Sequence, residues 1–359
     1  MKAGLEIHQQ LAVGKLFCAC PAELSEEVLG SFDRSLRASS GENRVVDPAA
    51  ALQASRGLVY RYEVVPPSCL VDMDEEPPSP LNPDALDTAL TMALLLDATP
   101  VDEVVVMRKI VVDGSTTTGF QRTALIATGG HLEIRGRRYG IESICLEEDA
   151  GRKIAERPGG VTYRLDRLGI PLIEIATAPD ITDGVEAREV AEEIGSLLRA
   201  TGRVRRGIGT IREDLNVSIE GGRRIEIKGV QELRRIQEFA EREVQRQEFL
   251  LGLREALRRR SAHVPAPTWR DVSDLFRDVT AGPLAAVRTS GAVVGALVLP
   301  GVRRAPALAG RAGGAAGPRT GGPGPGGRSR GPAPLGRTAG SRGGRSPRRG
   351  DPARPRPHG

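Results

Sequence analysis

The sequence has few cysteines and lacks long hydrophobic runs. Cys18, Cys20, Cys69 and Cys145 are too few and too scattered among 359 residues for the disulfide framework of a secreted protein. No run of about 18 apolar residues is present, which excludes a hydrophobic transmembrane helix. The opening MKAGLEIHQQL carries charges and no long apolar core, so it does not resemble a signal peptide. Together these absences predict a cytoplasmic protein.

Charge is unevenly distributed along the chain. Residues 302–359 contain 13 Arg, no Lys and one acidic residue, whereas residues 1–301 contain 38 basic and 45 acidic side chains. The formal net charge of +5 therefore hides a mildly acidic body, and bulk charge does not identify a partner. Within 302–359, 48 residues are Gly, Arg, Pro or Ala, and none is aromatic. Because such a segment buries too little apolar surface to offset ordering entropy, we predict that it is disordered.

The body mixes patterns typical of strands and of helices. Alternation of Leu5 and Ile7 with Glu6 and His8 predicts a strand. Asn82-Pro83 predicts a helix start, since Asn caps and Pro suits the first helical position. Further strands are predicted at 104–112, 131–134, 139–146, 163–166, 172–176, 217–219 and 224–228, and helices at 82–98, 185–201 and 231–259. The mixture predicts an α+β fold, with a first domain at 1–262, a proline-containing linker at 263–267, and the start of another α/β unit up to residue 301.

Three short segments carry residues suited to a metal. Glu6 and His8 point to the same side of their predicted strand. Glu174 lies in an apolar strand, where a carboxylate is costly unless a cation compensates it. Glu148 belongs to an acidic cluster at a strand end. Carboxylates with one imidazole favour Mg²⁺ or Mn²⁺. A lone Glu-x-His pair or a lone acidic cluster is more often a solvated strand face than a set of metal ligands, so only the meeting of all three segments in space would make a site.

Other segments are suited to phosphate, but ordinary explanations compete. Residues 111–122 form a loop rich in Gly, Ser and Thr that can cradle phosphate, although an ordinary polar hairpin has the same composition. It is not a P-loop, because the Gly-Lys-Ser/Thr ending is absent. Arg212 and Lys228, near predicted strands, can neutralise a triphosphate or form surface ion pairs.

The cysteines give little indication of a metal site. Cys18-x-Cys20 is half of a metal-binding knuckle, but two further ligands are needed and no second Cys pair exists. The pattern alone therefore does not favour a structural zinc. Cys145, within a predicted strand, is expected to pack as a small buried hydrophobe.

Several motifs, in order, resemble the tRNA-dependent amidotransferase B/E family. They are GLEIH at 4–8, KLFC at 15–18, LEEDAG at 146–151, RLGIPLIEI at 167–175 with PD at 179–180, NVSI at 216–219 and EIK at 226–228. Within that family, VDMDEEPP at 71–78 and DGSTTTGFQR at 113–122 resemble the archaeal-type E protein, which acts on glutamyl-tRNA(Gln), rather than the bacterial B protein. The resemblance extends over about residues 3–300.

The resemblance implies both a fold and a reaction. The fold is a cradle of mixed sheet and helices. The reaction uses ATP and Mg²⁺ (or Mn²⁺) to phosphorylate the side-chain carboxylate of glutamate on tRNA(Gln). Ammonia from the amidotransferase D protein, a glutaminase partner, then forms the amide. His8, Glu148 and Glu174 match the family's metal ligands, with Glu6 close by. We further expect Lys109, Ser115, Arg212 and Lys228 to contact the phosphates of ATP.

The C-terminal part departs from the family pattern. DVSDLFRDV at 271–279 and LVLPG at 297–301 resemble the beginning of an insert domain found in bacterial-type aspartyl-tRNA synthetases, and the Arg/Gly/Pro/Ala segment then begins. That composition is typical of an out-of-frame reading of a GC-rich gene, so we hypothesise a frameshift near codon 302. A basic RNA-binding arm is the alternative. The corresponding alternatives for function are a non-catalytic RNA-binding protein and an inactive truncated remnant of the family.

Overall fold

A computed structural model describes residues 1–40, 44–263, 266, 269–280, 292–297 and 299. Its strands are β1 Lys2–Gln10, β2 Gly30–Arg34, β3 Val59–Val64, β4 Thr99–Pro100, β5 Val106–Ile110, β6 Phe120–Ile134, β7 Arg137–Glu148, β8 Arg152–Arg157, β9 Gly160–Arg164, β10 Pro171–Thr177, β11 Ile211–Ser218, β12 Ile225–Val230, β13 Trp269–Asp271 and β14 Gly295–Leu297. Its helices are α1 Pro48–Ser55, α2 Pro83–Leu95, α3 Gly184–Ala200 and α4 Leu233–Arg259, with a 3₁₀ turn at Ser273–Phe276.

The main sheet has eight strands in the order β12-β11-β1-β10-β7-β6-β4, and β5 also pairs with β6. All of these pairings are antiparallel, and β1 lies between β10 and β11 near the middle. A smaller sheet has the order β2-β3-β9-β8, with β3 and β9 parallel. The sheets and helices confirm the predicted α+β class.

The main core lies between one face of the large sheet and helices α2, α3 and α4. Alternate residues of the central strands point into it, so the other face of the same strands is free for polar groups. The fully buried members of the strands include Leu5, Ile7, Ile144, Leu146, Ile173, Ile175, Leu215 and Val217.

The helix ends follow from local chemistry that the sequence shows. The Asn82 side chain accepts hydrogen bonds from the backbone N–H groups of Asp84 and Ala85, which confirms the predicted start of α2. Asp183 caps α3 in the same way, through Val185 and Glu186. Strands β2, β3 and β8 and the short helix α1 were not among the predicted elements.

The domain boundaries stay predictions. The described residues of the 263–301 segment form only the β13–β14 pair and the 3₁₀ turn, which do not by themselves define a synthetase-like insert. The disorder predicted for residues 302–359 lies outside the described residues. Among the residues that are described, no helix combines the length and apolar character needed to cross a membrane.

Tyrosines of the small sheet hold the loop between β5 and β6. The hydroxyl of Tyr62 donates to the carbonyls of Gly114 and Thr116, at 2.9 and 3.0 Å, and Tyr62 is fully buried. Tyr60 donates to the Val112 carbonyl at 2.9 Å, and Tyr163 donates to the Asp113 carbonyl at 3.2 Å. The small sheet therefore fixes the backbone of a loop that the sequence identified as a phosphate candidate.

Glu213 is a carboxylate on the apolar face of β11. It is 1% exposed, shares its face with Leu215 and Val217, and its Oε2 has no hydrogen-bond partner among the described residues. Burial raises the pKa of Glu213 to about 7, and the neighbouring Asp214 adds to the shift. The native state therefore binds this proton more tightly than the unfolded chain does.

We expect Glu213→Gln to change how stability depends on pH. With the native pKa raised, the stabilisation from this group is complete below the unfolded value of 4.5 and is lost as pH rises towards 7. The free energy of unfolding of Glu213→Gln, relative to the parent chain, should therefore increase by on the order of 2 kcal/mol between pH 5 and pH 8. Denaturant titrations at both pH values measure it. Exposed Glu220→Gln is the control, and an equal difference at both pH values would contradict the assignment.

We expect Tyr62→Phe to destabilise the chain more than Tyr163→Phe. The first change leaves two carbonyls in a buried site without their donor, which costs about 1–3 kcal/mol. The second removes one longer hydrogen bond at a partly buried position. Thermal unfolding of both variants tests the difference, and equal effects would show that the Tyr62 hydroxyl does not hold the loop.

Candidate metal and phosphate site

Three adjacent strands bring acidic, basic and imidazole groups to the polar face of the large sheet. His8 on β1 lies opposite Glu174 on β10 and opposite Arg212 on β11. Glu174 lies opposite Cys145 on β7. Directly opposed residues project to the same face, so the register of the sheet collects these side chains.

His8, Glu147 and Glu174 form a tight group. The Nε2 atom of His8 is 2.9 Å from Oε2 of Glu174 and 3.9 Å from Oε2 of Glu147. His8 and Glu147 are buried, and Glu174 is partly exposed. The Thr123 hydroxyl donates to Glu147 at 3.0 Å and fixes its carboxylate. One ligand atom from each of the three residues lies within 4.8 Å of the others.

The pKa values of Glu147 and Glu174 shift in opposite directions. Burial raises the pKa of Glu147, and the nearby Glu174 carboxylate raises it further. Burial opposes ionisation of Glu174 as well, but the hydrogen bond and charge of His8, together with Lys109, outweigh it and lower the pKa of Glu174. The face therefore concentrates negative charge that a cation would compensate.

Glu148 lies on the other face of β7, away from this group. It shares the apolar face of Ile144 and Leu146, and its Oε1 accepts a 2.8 Å hydrogen bond from Nη1 of Arg122. Burial raises the pKa of Glu148, and Arg122 opposes that shift. The structure therefore brings His8 and Glu174 together as expected but places Glu147, rather than Glu148, beside them.

The local pattern already contained the signal for Glu147. In β10, Ile173 and Ile175 lie on the apolar face, which places Glu174 on the opposite one. The same reasoning applied to Ile144 and Leu146 would have selected Glu147 for the polar face.

The group has features that fit a divalent cation. The Nδ1 atom of His8 is buried and has no hydrogen-bond partner within the described part of the chain. Two carboxylates and one imidazole offer the oxygen-rich donor set that suits Mg²⁺ or Mn²⁺. The residues present therefore fit such an ion on chemical grounds.

A second acidic group lies next to the first on the same sheet. Glu6, Asp214 and Glu226 have ligand atoms within 4.8 Å of one another, and Asn216 donates to Glu6 at 3.0 Å. Lys228 joins them, with Nζ 2.6 Å from Glu226 and 3.4 Å from Asp214. Lys228 is therefore already paired with carboxylates, although its side chain is exposed.

The other predicted phosphate residues surround the polar face. Lys109 lies opposite Gln121 on β6, and its charge acts on both Glu147 and Glu174. Arg212 reaches to 3.9 Å from Asp149, which also accepts a 2.6 Å hydrogen bond from Gln10.

Ser115 belongs to the loop held by the tyrosines. Its carbonyl accepts a hydrogen bond from the Gly151 N–H at 2.7 Å, two residues beyond Asp149. The sequence had not singled out Gln10 and Asp149, whose pairing requires contact between residues 139 positions apart.

A cavity of about 600 Å³ lies apart from this group. It is lined by Phe17, Phe120, Arg122 and the segment 74–81. Arg122 points to the apolar face with Glu148, so the cavity does not contain the His8 group.

The part of the chain that carries this site is similar to known proteins. The profile of the GatB/GatE catalytic domain matches residues 1–292. The chain is 55% identical over 262 residues to the glutamyl-tRNA(Gln) amidotransferase E protein of Sulfurisphaera tokodaii, covering 73% of this chain and 42% of the relative. It is 51% identical over 305 residues to the E protein of Aeropyrum pernix, covering 84% and 48%, and 51% identical over 303 residues to that of Pyrococcus furiosus, with the same coverage.

The chain spans about half the length of these curated relatives. The match nevertheless extends over most of the chain itself and includes all the strands that form the polar face. The chain belongs to the GatB/GatE catalytic-domain family.

Proposed function

We propose that the chain carries out the ATP-dependent step that converts glutamyl-tRNA(Gln) to glutaminyl-tRNA(Gln), with a glutaminase, the amidotransferase D protein, as its partner. The names of its relatives support the substrate, since each is the E component of a glutamyl-tRNA(Gln) amidotransferase. The observation that carries the proposal is the meeting of His8, Glu147 and Glu174 on one polar face, beside Lys109 and Arg212. Because the substrate is a charged tRNA, the proposed compartment is the cytoplasm.

His8, Glu147 and Glu174 are the proposed ligands of Mg²⁺ or Mn²⁺. Glu147 replaces Glu148 in this proposal because Glu148 is buried against Arg122. When bound, the cation would stabilise negative charge on the transferring phosphoryl group. Thr123 and Gln121 hydrogen-bond Glu147 and so orient it towards the shared position. Glu6, held by Asn216, extends the acidic surface beside the group.

Lys109, Arg212 and Lys228 are the proposed cationic contacts of the ATP phosphates. Lys109 and Arg212 lie on opposite sides of the metal group, on β5 and β11. Lys228 would exchange its carboxylate partners for phosphate oxygens, which its exposed position permits. The loop around Ser115 would contribute backbone N–H groups and hydroxyls, and its fixed backbone reduces the entropy lost on binding.

The proposed chemistry explains why ATP is required. A carboxylate is a poor acyl donor to ammonia. An oxygen of the glutamyl side-chain carboxylate would attack the γ-phosphorus of ATP, and the bond to the ADP oxygen would break. Ammonia from the glutaminase partner would then attack the acyl carbon, releasing phosphate and a proton. The polar face contributes by positioning the reactants and by compensating charge.

We expect Glu147→Gln, but not Glu148→Gln, to weaken Mn²⁺ binding. Glu147 lies beside His8 and is a proposed ligand of the cation. Loss of the Glu147 charge should therefore raise the dissociation constant for Mn²⁺ by about tenfold or more, the effect typical of losing a metal ligand or a residue that orients one. Glu148→Gln should leave that constant within about threefold. It should instead lower thermal stability, because buried Arg122 loses its charged partner.

Mn²⁺ titration followed by electron paramagnetic resonance measures the dissociation constant for both variants, and thermal unfolding measures stability. The two residues are neighbours in sequence and receive the same chemical change, so each variant is the matched control for the other. Equal weakening of Mn²⁺ binding by the two changes would overturn the assignment of Glu147.

We expect the chain, with the glutaminase partner, Mg²⁺ and ATP, to hydrolyse ATP in a manner that depends on glutamyl-tRNA(Gln). Glu174→Gln should lower that rate by about 100-fold, since it removes a proposed ligand of the cation that would stabilise the phosphoryl-transfer transition state. Exposed Glu248→Gln is the control and should retain the parent rate. A folded parent chain that binds Mn²⁺ but shows no tRNA-dependent hydrolysis would contradict the proposed function.

A further inference from the structure

A short loop between α3 and β11 has no part in the chemistry proposed above. Its tip is Gly207-Ile208-Gly209, and the Ile208 side chain is fully exposed, at 102%. Gly207 and Gly209 have φ values of 126° and 84°, in the region that favours glycine, and a Cβ atom on either would meet nothing within 4 Å. The tip therefore lies in solvent, and its two glycines allow its backbone to change conformation.

The base of this loop, by contrast, is fixed to β1. Gln9 is buried, and its Nε2 donates to the carbonyls of Arg205 and Thr210, both at 3.0 Å, so one amide holds the two ends of the loop together. The Gln10 N–H also donates to the Thr210 carbonyl at 2.8 Å, and the Arg205 N–H donates to the Gln10 carbonyl at 2.9 Å. Residues 206–209 therefore project from a base that is held by hydrogen bonds on both sides.

The base lies at the end of the polar face that carries His8. Gln10 is the next residue after His8 on that face of β1, about 7 Å further along the strand. Arg212, which follows the loop on β11, lies opposite His8. The two residues from Thr210 to Ile208 can span about 7 Å of extended backbone. The tip can therefore reach the space in front of His8 when the loop folds about its base.

The segment that contains the loop is strongly basic. No acidic residue occurs between Glu193 and Glu213. The same segment contains five arginines, Arg199, Arg203, Arg205, Arg206 and Arg212. Within the part of the chain that the structure describes, the side chains of Arg205 and Arg206 form no ion pair. The loop thus brings two unneutralised cations to the edge of a group of carboxylates, and a polyphosphate bound with a divalent cation is complementary to both.

The composition of the loop fits a nucleotide better than a macromolecular partner. Within residues 198–212, Ile208 is the only exposed large apolar side chain, so the loop itself offers no apolar patch of the size that stable protein interfaces use. Proteins that bind single-stranded nucleic acid stack its bases on aromatic side chains, and this segment has none. A nucleotide is matched by one apolar side chain against its adenosine part and by cations at its phosphates.

We propose that residues 205–210 close over ATP when it binds on the polar face, with Arg206 contacting its phosphates and Ile208 packing against its adenosine part. The inference rests on the proposed function and adds two contact residues to its site. The closed loop would exclude water from the γ-phosphate, so that the glutamyl carboxylate rather than water attacks it. The glycines beside Ile208 would absorb the backbone change, while Gln9 keeps the base in place.

Limited trypsin digestion of the full chain measures closure without relying on activity. Trypsin cleaves after arginine, and the Arg206–Gly207 bond is exposed. Mg²⁺ with a saturating non-hydrolysable ATP analogue should slow cleavage of this bond by about tenfold or more, because cleavage follows the population of the open loop. Mass spectrometry of the peptides follows each bond separately. The exposed Arg56–Gly57 bond, whose glycine also has a positive φ, is the matched control and should be cleaved at an unchanged rate.

Equilibrium dialysis with the same analogue, radiolabelled, measures binding and separates the two ways in which the experiment can fail. Bound analogue without protection of the Arg206–Gly207 bond would overturn the closing loop and leave the proposed ATP site intact. Absence of binding to the folded chain would overturn both. Protection by glutamyl-tRNA(Gln) alone, and not by the analogue, would show that the loop contacts tRNA instead and would also overturn closure over ATP.

Steady-state kinetics with the glutaminase partner test the two contact residues. Arg206→Gln and Ile208→Ser should each raise the KM for ATP by about tenfold, the loss expected for one phosphate contact or one apolar contact. Ile208→Ser should also lower the amount of glutaminyl-tRNA(Gln) formed per ATP hydrolysed, since water then reaches the γ-phosphate. Ile154→Ser, at an exposed position on β8, is the control and should change neither quantity. Parent values of both quantities in Ile208→Ser are incompatible with closure.

Discussion

The central strands of the large sheet place alternate side chains on two very different surfaces. One face of β1, β7, β10 and β11 packs against α2, α3 and α4, and most of the side chains that point to it are apolar, with Glu148 and Glu213 as buried exceptions. That packing fixes the register of the sheet, because a shift by one residue would exchange its two faces. The intervening residues are consequently forced onto the opposite face, where His8, Glu147 and Glu174 meet. The acidic group therefore depends on the apolar core behind it.

The small sheet has a complementary role. Its tyrosines donate to the carbonyls of residues 112–114 and 116, and so fix the loop between β5 and β6, whose Ser115 carbonyl accepts a hydrogen bond from the Gly151 N–H. Asp149 in turn contacts Gln10 on β1 and approaches Arg212 on β11. Two hydrogen bonds, from Gly151 to Ser115 and from Gln10 to Asp149, thus link the proposed phosphate-binding loop to β1, the strand that carries His8.

Much of the secondary structure was predictable, but contacts between distant segments were less so. The strand periodicity of residues 5–11 and the Asn82 cap were sufficient to place β1 and α2. In β7, the pattern of Ile144 and Leu146 assigns Glu148 to the core face, where it pairs with Arg122. Cys18 and Cys20 match half of a metal-binding pattern, and the structure brings Cys69 and Asp72, about fifty residues further along the chain, to within 4.8 Å of them. No local spacing rule connects these two segments.

By itself, the sequence determined the α+β class, the main helices and strands, and the family motifs, because these depend on short-range periodicity, capping residues and local order along the chain. It also supplied the candidate residues His8, Glu174, Lys109 and Arg212. The local pattern of β7 assigns Glu147 to the polar face, but only the tertiary structure decided that Glu147 meets His8 and Glu174 there. It also decided that Asp149 links the loop to the sheet and that Cys69 and Asp72 lie beside Cys18 and Cys20. The physical reason is that strand register and loop packing bring together residues separated by many positions, and those choices are made by burial of the whole core rather than by any local pattern.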